Sequence, residues 1–346
     1  MSADIFLWLV QDGVTNGAIY ALVALALLLV FSVTRVIFVP QGEFITFAAL
    51  SLSLLEAGRT PGTIYILIFG GLAAAAIEAF VALRERAWRR LPRIVALYVV
   101  LPVAVAALVA WAAPRKFDQW VQVLMVLAMV VPLGPIVYRI AYQPLASASV
   151  LVLFIVSMAV HYVLTGLSLV FFGGEGLRSS PFWDAKFRLG VVEISAQSVW
   201  VVMASVVLIL VLWFLFERTI HGKALRATAM NRVGARLVGI PTALTGHLSF
   251  LLAAVIGVVS GILIAPITTL YYDTGFLIGL KGFVGAILGG MASYPLAAAG
   301  SVAVGLLESF SSFWASAFKE VIVFTLIIPM LVWLSLRSHH VEEDEE

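Results

Sequence analysis

The sequence predicts an all-α polytopic membrane protein, a bundle of about nine to eleven transmembrane helices, on three observations. Of 346 residues, 62% are apolar and 12% are charged, against roughly 25% charged in ordinary soluble domains. Mean hydropathy is +1.09. The apolar residues fall in continuous runs of about 20, long enough to cross roughly 30 Å of hydrocarbon. They do not alternate with the period of two that marks a membrane β-barrel. Apolar surface on this scale excludes a soluble enzyme and a disordered chain, because one aqueous core cannot hide it. A net charge of +2 is too small to point to nucleic acid, and the absence of cysteine removes disulfides, thiolate metal sites and thiol nucleophiles.

In chain order the spans are read at 8–33, 38–57, 61–83, 94–113, 119–138, 148–172, 197–216, 242–267, 276–292, 297–316 and 319–336. The first is a retained helix, since residues 1–4 lack the positive stretch of a cleaved signal peptide. The ninth is short and glycine-rich, the composition of a broken or re-entrant helix. Gly257 with Gly261, and Gly285 with Gly289, set small residues four apart, a spacing that lets helix backbones approach closely.

Orientation follows the basic loops. Residues 84–93 hold five arginines and one acid, and residues 218–240 hold Arg218, Lys223, Arg226, Arg232 and Arg236 with no acid. Both are expected on the cytoplasmic side, which places the N-terminus outside and the tail from residue 338 inside. The loop 173–197, with Pro181 and Trp183, is then external and long enough to meet an external partner. The tail 338–346 reads as a disordered charge run; His339 and His340 lack a third metal ligand in view. No G-x-x-x-x-G-K-[ST], H-E-x-x-H or G-x-S-x-G pattern occurs, so no ATP-cradling loop, zinc-protease site or nucleophile elbow is expected.

The cytoplasmic loop 218–241 is the most informative stretch. Leu225, Ala229, Val233 and Leu237 recur every four residues, and alanine is plentiful, so a short amphipathic helix is expected over 222–240. Three roles fit such a helix: a membrane-surface element meeting anionic lipid, a topology signal, or a docking element for a soluble partner.

The residues here resemble a known family. Gly222-Lys-Ala-Leu-Arg-Ala-Thr-Ala229, followed by Ala235, Leu237, Gly239 and Ile240, is similar to the coupling-helix motif of permease subunits of branched-chain amino acid ABC transporters. Gly13, Gly17, Tyr20, Ala21 and Leu22 match the family's G-x-x-x-G-x-x-Y-A-L opening. Phe38 to Glu43 resembles its F-A-[HQ]-G-E, Arg139 to Leu145 its R-x-A-Y-R-P-L, and Gly279 to Gly290 its G-x-K-A-F-x-A-A-V-L-G-G. The five matches run in the family's order. Three features depart from the pattern. Residues 84–131 exceed the family's length, an acid common near Met230 is missing, and Val39-Pro40 replaces a small pair.

The resemblance implies an ABC importer permease fold over residues 1–337. It implies cytoplasmic ATP-binding subunits, a second related permease, an external substrate-binding protein, an amino-acid-like substrate, a lipid environment in a bacterial plasma membrane, and no cofactor or metal. It assigns ATPase coupling to Gly222, Lys223, Ala224, Arg226, Ala227, Arg232, Arg236 and Gly239. Polar groups at membrane depth are the natural substrate-path candidates: Asn16, with Thr15 beside it, then Gln41, Gly42, Glu43 and Lys281. The plainer alternative is interhelical hydrogen bonding for the first set and snorkelling for Lys281. Glu78 and Glu308 need partners elsewhere in the chain, and His161 with Tyr162 reads as a satisfied buried pair. A stand-alone secondary transporter or channel would share the buried carboxylates but not the coupling-like loop.

Overall fold

Apolar runs in lipid become helices because no water is present to satisfy exposed backbone groups. The computed structural model describes residues 3–189, 192–291, 293–330 and 332; the expected tail 338–346, with His339 and His340, lies outside them. Among the described residues, eight helices are long and apolar enough to cross a membrane. They are α1 (Ala3–Thr34), α3 (Thr63–Arg84), α4 (Trp88–Arg115), α5 (Gln119–Leu145), α6 (Val150–Phe172), α7 (Ala196–Arg218), α10 (Thr242–Ile264) and α12 (Tyr294–Trp314). The second and ninth predicted spans are shorter helices, α2 (Gln41–Glu56) and α11 (Thr274–Leu288), of 16 and 15 residues. At 1.5 Å per residue each covers only about 24 Å or less. The eleventh begins as α13 (Lys319–Thr325). Two further helices, α8 (Ile220–Met230) and α9 (Arg232–Leu237), lie between α7 and α10.

Burial explains why short helices suffice at the centre. The most apolar stretch of α1 is 89% buried and that of α10 is 67%, whereas α6 and α7 bury only 22% and 17%. All of α2 except its last residue is buried. An inner layer of α1, α2, α10 and α11 is therefore sheathed by outer helices that present apolar side chains outward. The glycine pairs read from the sequence serve this packing: Gly257 and Gly261 of α10 lie against Phe44 and Ile45 of α2, and Gly285 of α11 and Gly289, which caps it, lie against Ser301 and Ala297 of α12.

α4 and α5 each include a π-helical turn, Ala96–Val100 and Tyr138–Tyr142. Pro102 cannot donate to the carbonyl of Tyr98, four residues back, which opens the first of these. The loop after α6 is tied down rather than free. Leu177 pairs with Leu270 as an isolated bridge, Arg178 Nε donates to Pro266 O at 2.9 Å, and Ser180 N donates to Glu56 at 2.8 Å. It then forms an antiparallel hairpin, β1 (Lys186–Leu189) with β2 (Val192–Ser195), in the register Lys186↔Ser195.

Candidate functional site

The predicted substrate-path residues fall into two polar clusters, both touching α11. Gln41, Gly42 and Glu43 open α2, and all three are buried. Gln41 Nε2 donates to the carbonyl of Ala253 at 2.9 Å, and Glu43 Oε1 lies 2.8 Å from His161 Nδ1 on α6. The His161 ring stacks on Phe276 of α11, centroids 4.4 Å apart. Gly42 meets Gly275 of α11 so closely that a Cβ on either would lie about 2 Å from the other's carbonyl oxygen. Gly275 N donates to Thr46 Oγ1 at 3.0 Å and completes the junction. Two oxygens here, Glu43 Oε2 and Gln41 Oε1, are buried without a hydrogen-bond partner among the described residues. His161, read as a pair with Tyr162, contacts that ring at 5.2 Å but has Glu43 as its polar partner.

The second cluster is built on Lys281, in the middle of an unbroken α11 rather than ahead of a broken helix. Six residues from Gly275, it is about 9 Å further along the helix axis. Lys281 Nζ lies 2.6 Å from Glu308 of α12 and 3.4 Å from Glu320 of α13. The Tyr20 hydroxyl donates to the other Glu308 oxygen at 2.6 Å. Side-chain exposure is 7% for Lys281 and 13% for Glu308, so this is a buried ion pair and not a snorkelling lysine. Asn16 lies one turn before Tyr20 on α1 and donates to Asp12 at 3.3 Å; Thr15 donates to Gln11 O at 2.8 Å and so stays within α1. Glu78 has its partner too, Arg139 at 2.6 Å. The roles of Tyr20, His161 and Glu320 as partners of these carboxylates and of Lys281 were missed from the sequence. Each signal was present as an unmet need: a carboxylate at membrane depth requires a donor from another helix.

The coupling-like loop departs from the single helix expected over 222–240. Asn231 adopts an extended conformation, ends α8, and caps α9 by accepting from Gly234 N at 2.8 Å. The turn changes the apolar face. Leu225 is buried against Leu29 and Val33 of α1, whereas Met230, Val233 and Leu237 are 87%, 68% and 84% exposed. The arginines are partnered within the chain. Arg226 pairs with Glu217 at 2.5 Å, Arg232 donates to Ala146 O at 2.9 Å, and Arg236 donates to Thr242 at 2.9 Å. Lys223 and Gly239 are exposed, Ala224 and Ala227 half-buried. Arg232 and Ala146 lie on the same side of the bundle.

Gly222 sets the hinge between α7 and α8: a Cβ there would lie 2.2 Å from Leu215 O and 2.6 Å from Phe216 Cα. Both are backbone atoms, so nothing flexible can yield. Gly222→Ala is expected to cost about 1–3 kcal/mol. A thermal melt of the purified variant should shift down by several degrees; an unchanged midpoint would show that the hinge relaxes freely.

Comparison with known proteins agrees with this architecture. A family model described as the branched-chain amino acid transport system permease component matches residues 93–331. The high-affinity branched-chain amino acid transport system permease LivH of Escherichia coli K12 is 23% identical, over 94% of each chain. Its Salmonella typhimurium counterpart is 24% identical over the same shares. The permease BraD of Pseudomonas aeruginosa is 25% identical over 58% of this chain and 67% of its own. No solved structure matches. With the family match spanning most of a multi-pass helical bundle, the chain belongs to the permease components of branched-chain amino acid transport systems.

Proposed function

We propose that this permease forms half of the membrane pathway of an ATP-driven importer in a bacterial plasma membrane. Two cytoplasmic ATP-binding subunits dock beneath it and a second related permease completes the path. An external binding protein delivers a branched-chain amino acid or a related amino-acid-like solute. Because the sequence holds no phosphate-cradling G-x-x-x-x-G-K-[ST] loop, hydrolysis is supplied in trans.

The observation that carries this reading is the α8–α9 pair. It stands outside the membrane-spanning bundle, is joined to it at Gly222, and exposes Met230, Val233 and Leu237 beside basic side chains. Exposed apolar anchors on a short helix pair suit docking into a groove of a soluble partner. Arg226, Arg232 and Arg236 hold α8 and α9 against α7, the 146 loop and α10, so movement of the docked partner is passed to the spans. For the substrate, Glu43 Oε2 and Gln41 Oε1 support a path beside the start of α2, where free acceptors would meet an ammonium group.

Ala227→Glu places a new charge on α8 without touching the bundle interior. It is expected to leave insertion and yield unchanged but to lower ATPase co-purification and uptake on the order of tenfold, the effect of about 1.4 kcal/mol lost at a contact. The check is a mild-detergent pull-down from cells making the tagged chain with its natural neighbours, alongside substrate uptake. Wild-type uptake with an ATPase still bound would remove α8 from the docking surface.

A further inference from the structure

A groove of about 450 Å³ lies between α1, α7, α10 and α12, on the outer face of the bundle. Its volume falls within the range of small-molecule sites, roughly 300–1,000 Å³. Leu25, Ile209, Trp213, Phe216 and Tyr294 line it, and among the described residues its charged lining side chains are Glu217 and Arg226. From Ile209 to Glu217 is two turns of α7, so the apolar slot runs about 12 Å inward from the charged rim. The rim is on the arginine-rich, cytoplasmic side, where the polar headgroups of the inner leaflet lie. Trp213 is 59% exposed, an amphipathic ring suited to the headgroup boundary.

The rim is chemically specific. Glu217 and Arg226 sit 2.5 Å apart, and both side chains remain more than two-fifths exposed. The contact uses one of the five guanidinium donors, which leaves Arg226 able to hold a phosphate as well. Glu217 in turn remains able to accept from a cation. A headgroup that meets both groups carries a phosphate and a primary ammonium. A phosphatidylglycerol-type headgroup offers the phosphate but leaves Glu217 facing an anion, and a choline headgroup offers a cation with no N–H to donate.

We propose that this groove is a specific site for a phospholipid whose headgroup bears a primary ammonium, phosphatidylethanolamine in chemical class. One acyl chain fills the slot, the phosphate binds Arg226 and the ammonium binds Glu217. Such a lipid bridges α8 to α7 and to Tyr294 at the start of α12. Binding depends on the groove and rim alone and not on the transport reading.

The test is native mass spectrometry of the full chain released from detergent. The probes are phosphatidylethanolamine, phosphatidylglycerol and phosphatidylcholine with identical acyl chains. Phosphatidylethanolamine should be retained about tenfold over each of the others, the scale of one charge-assisted hydrogen bond. Glu217→Gln should erase its advantage over phosphatidylglycerol. Ala298→Trp, which fills the groove wall, should lower retention of all three lipids. Val206→Trp, on the same α7 but outside the groove, should behave as wild type and controls for folding. Equal retention of the three lipids by wild type overturns the site, as does unchanged binding in Ala298→Trp. A preference for phosphatidylglycerol overturns the headgroup assignment. A dimer that Ala298→Trp dissociates without altering lipid retention assigns the groove to a second copy and overturns the proposal.

Discussion

Gly42→Ala is expected to collapse the yield of folded protein, because one methyl group forces two central helices apart. The added carbon would lie 2.0 Å from Gly275 O and 2.5 Å from Gly275 C. Ordinary van der Waals contact begins near 3.4 Å, so α2 and α11 must separate by about 1.4 Å at their crossing, in an interior that resists such shifts. The separation also breaks what the crossing aligns. Gly275 N loses Thr46 Oγ1, and the bonds from Gln41 to Ala253 and from Glu43 to His161 come out of register. A cost of 3 kcal/mol or more is about the scale for overpacking combined with buried polar loss. Size-exclusion profiles and melts of the tagged protein measure it. Gly279→Ala is the internal control. Its Cβ would meet Gly42 at 3.4 Å, so it should be neutral or slightly stabilising, since alanine is the better helix former by up to about 1 kcal/mol. Equal behaviour of the two variants would falsify the crossing as described.

Lys281→Met should be the second large effect, and the way it is rescued carries the argument. The substitution keeps the bulk of the side chain but leaves Glu308 buried and Glu320 half-buried with no lysine between them. Removing one partner of a buried pair costs about 3–5 kcal/mol, most of it from the charge left behind. Tyr20 still donates to Glu308 but supplies no countercharge. Glu308→Gln alone should be milder, because Lys281 keeps Glu320. The double variant Lys281→Met with Glu308→Gln should recover much of the loss, giving a coupling energy of about 1–3 kcal/mol in a double-mutant cycle on melting temperature. Additive effects would show that the lysine acts elsewhere. Uptake by the rescued double variant separates the two roles left open for Lys281. Stability without transport marks a path residue, and recovery of both marks a structural one.

What was legible in the sequence was what hydropathy and charge record locally. The long spans follow from runs of residues and need no knowledge of partners. The depth of α2 was not legible. Lipid tails and protein interiors are equally apolar, so hydropathy cannot tell a helix facing lipid from one sheathed by protein. A hint was present in Gln41, Glu43, Thr46, Ser51 and Ser53, too many polar groups for a lipid face. The break at Asn231 was legible in principle, since asparagine is a strong helix N-cap, but the four-residue apolar spacing from Leu225 to Leu237 masked it. Partners such as His161 for Glu43 and Lys281 for Glu308 depend on contacts across 118 and 27 residues, which no local pattern specifies.

The enclosure of α2 also sets an order of assembly. This helix is short, begins with Gln41-Gly-Glu43, and finds hydrogen-bonding partners on α6, α10 and α11. Ala253 is synthesised 212 residues after Gln41. At 5–20 residues per second, the ribosome takes about 10–40 s to deliver it. His161 follows Glu43 by 118 residues, so Glu43 can be paired first, while Gln41 waits for Ala253. Its final seat must be taken after most of the chain has entered the bilayer, so the centre of this permease is among the last parts of it to be built.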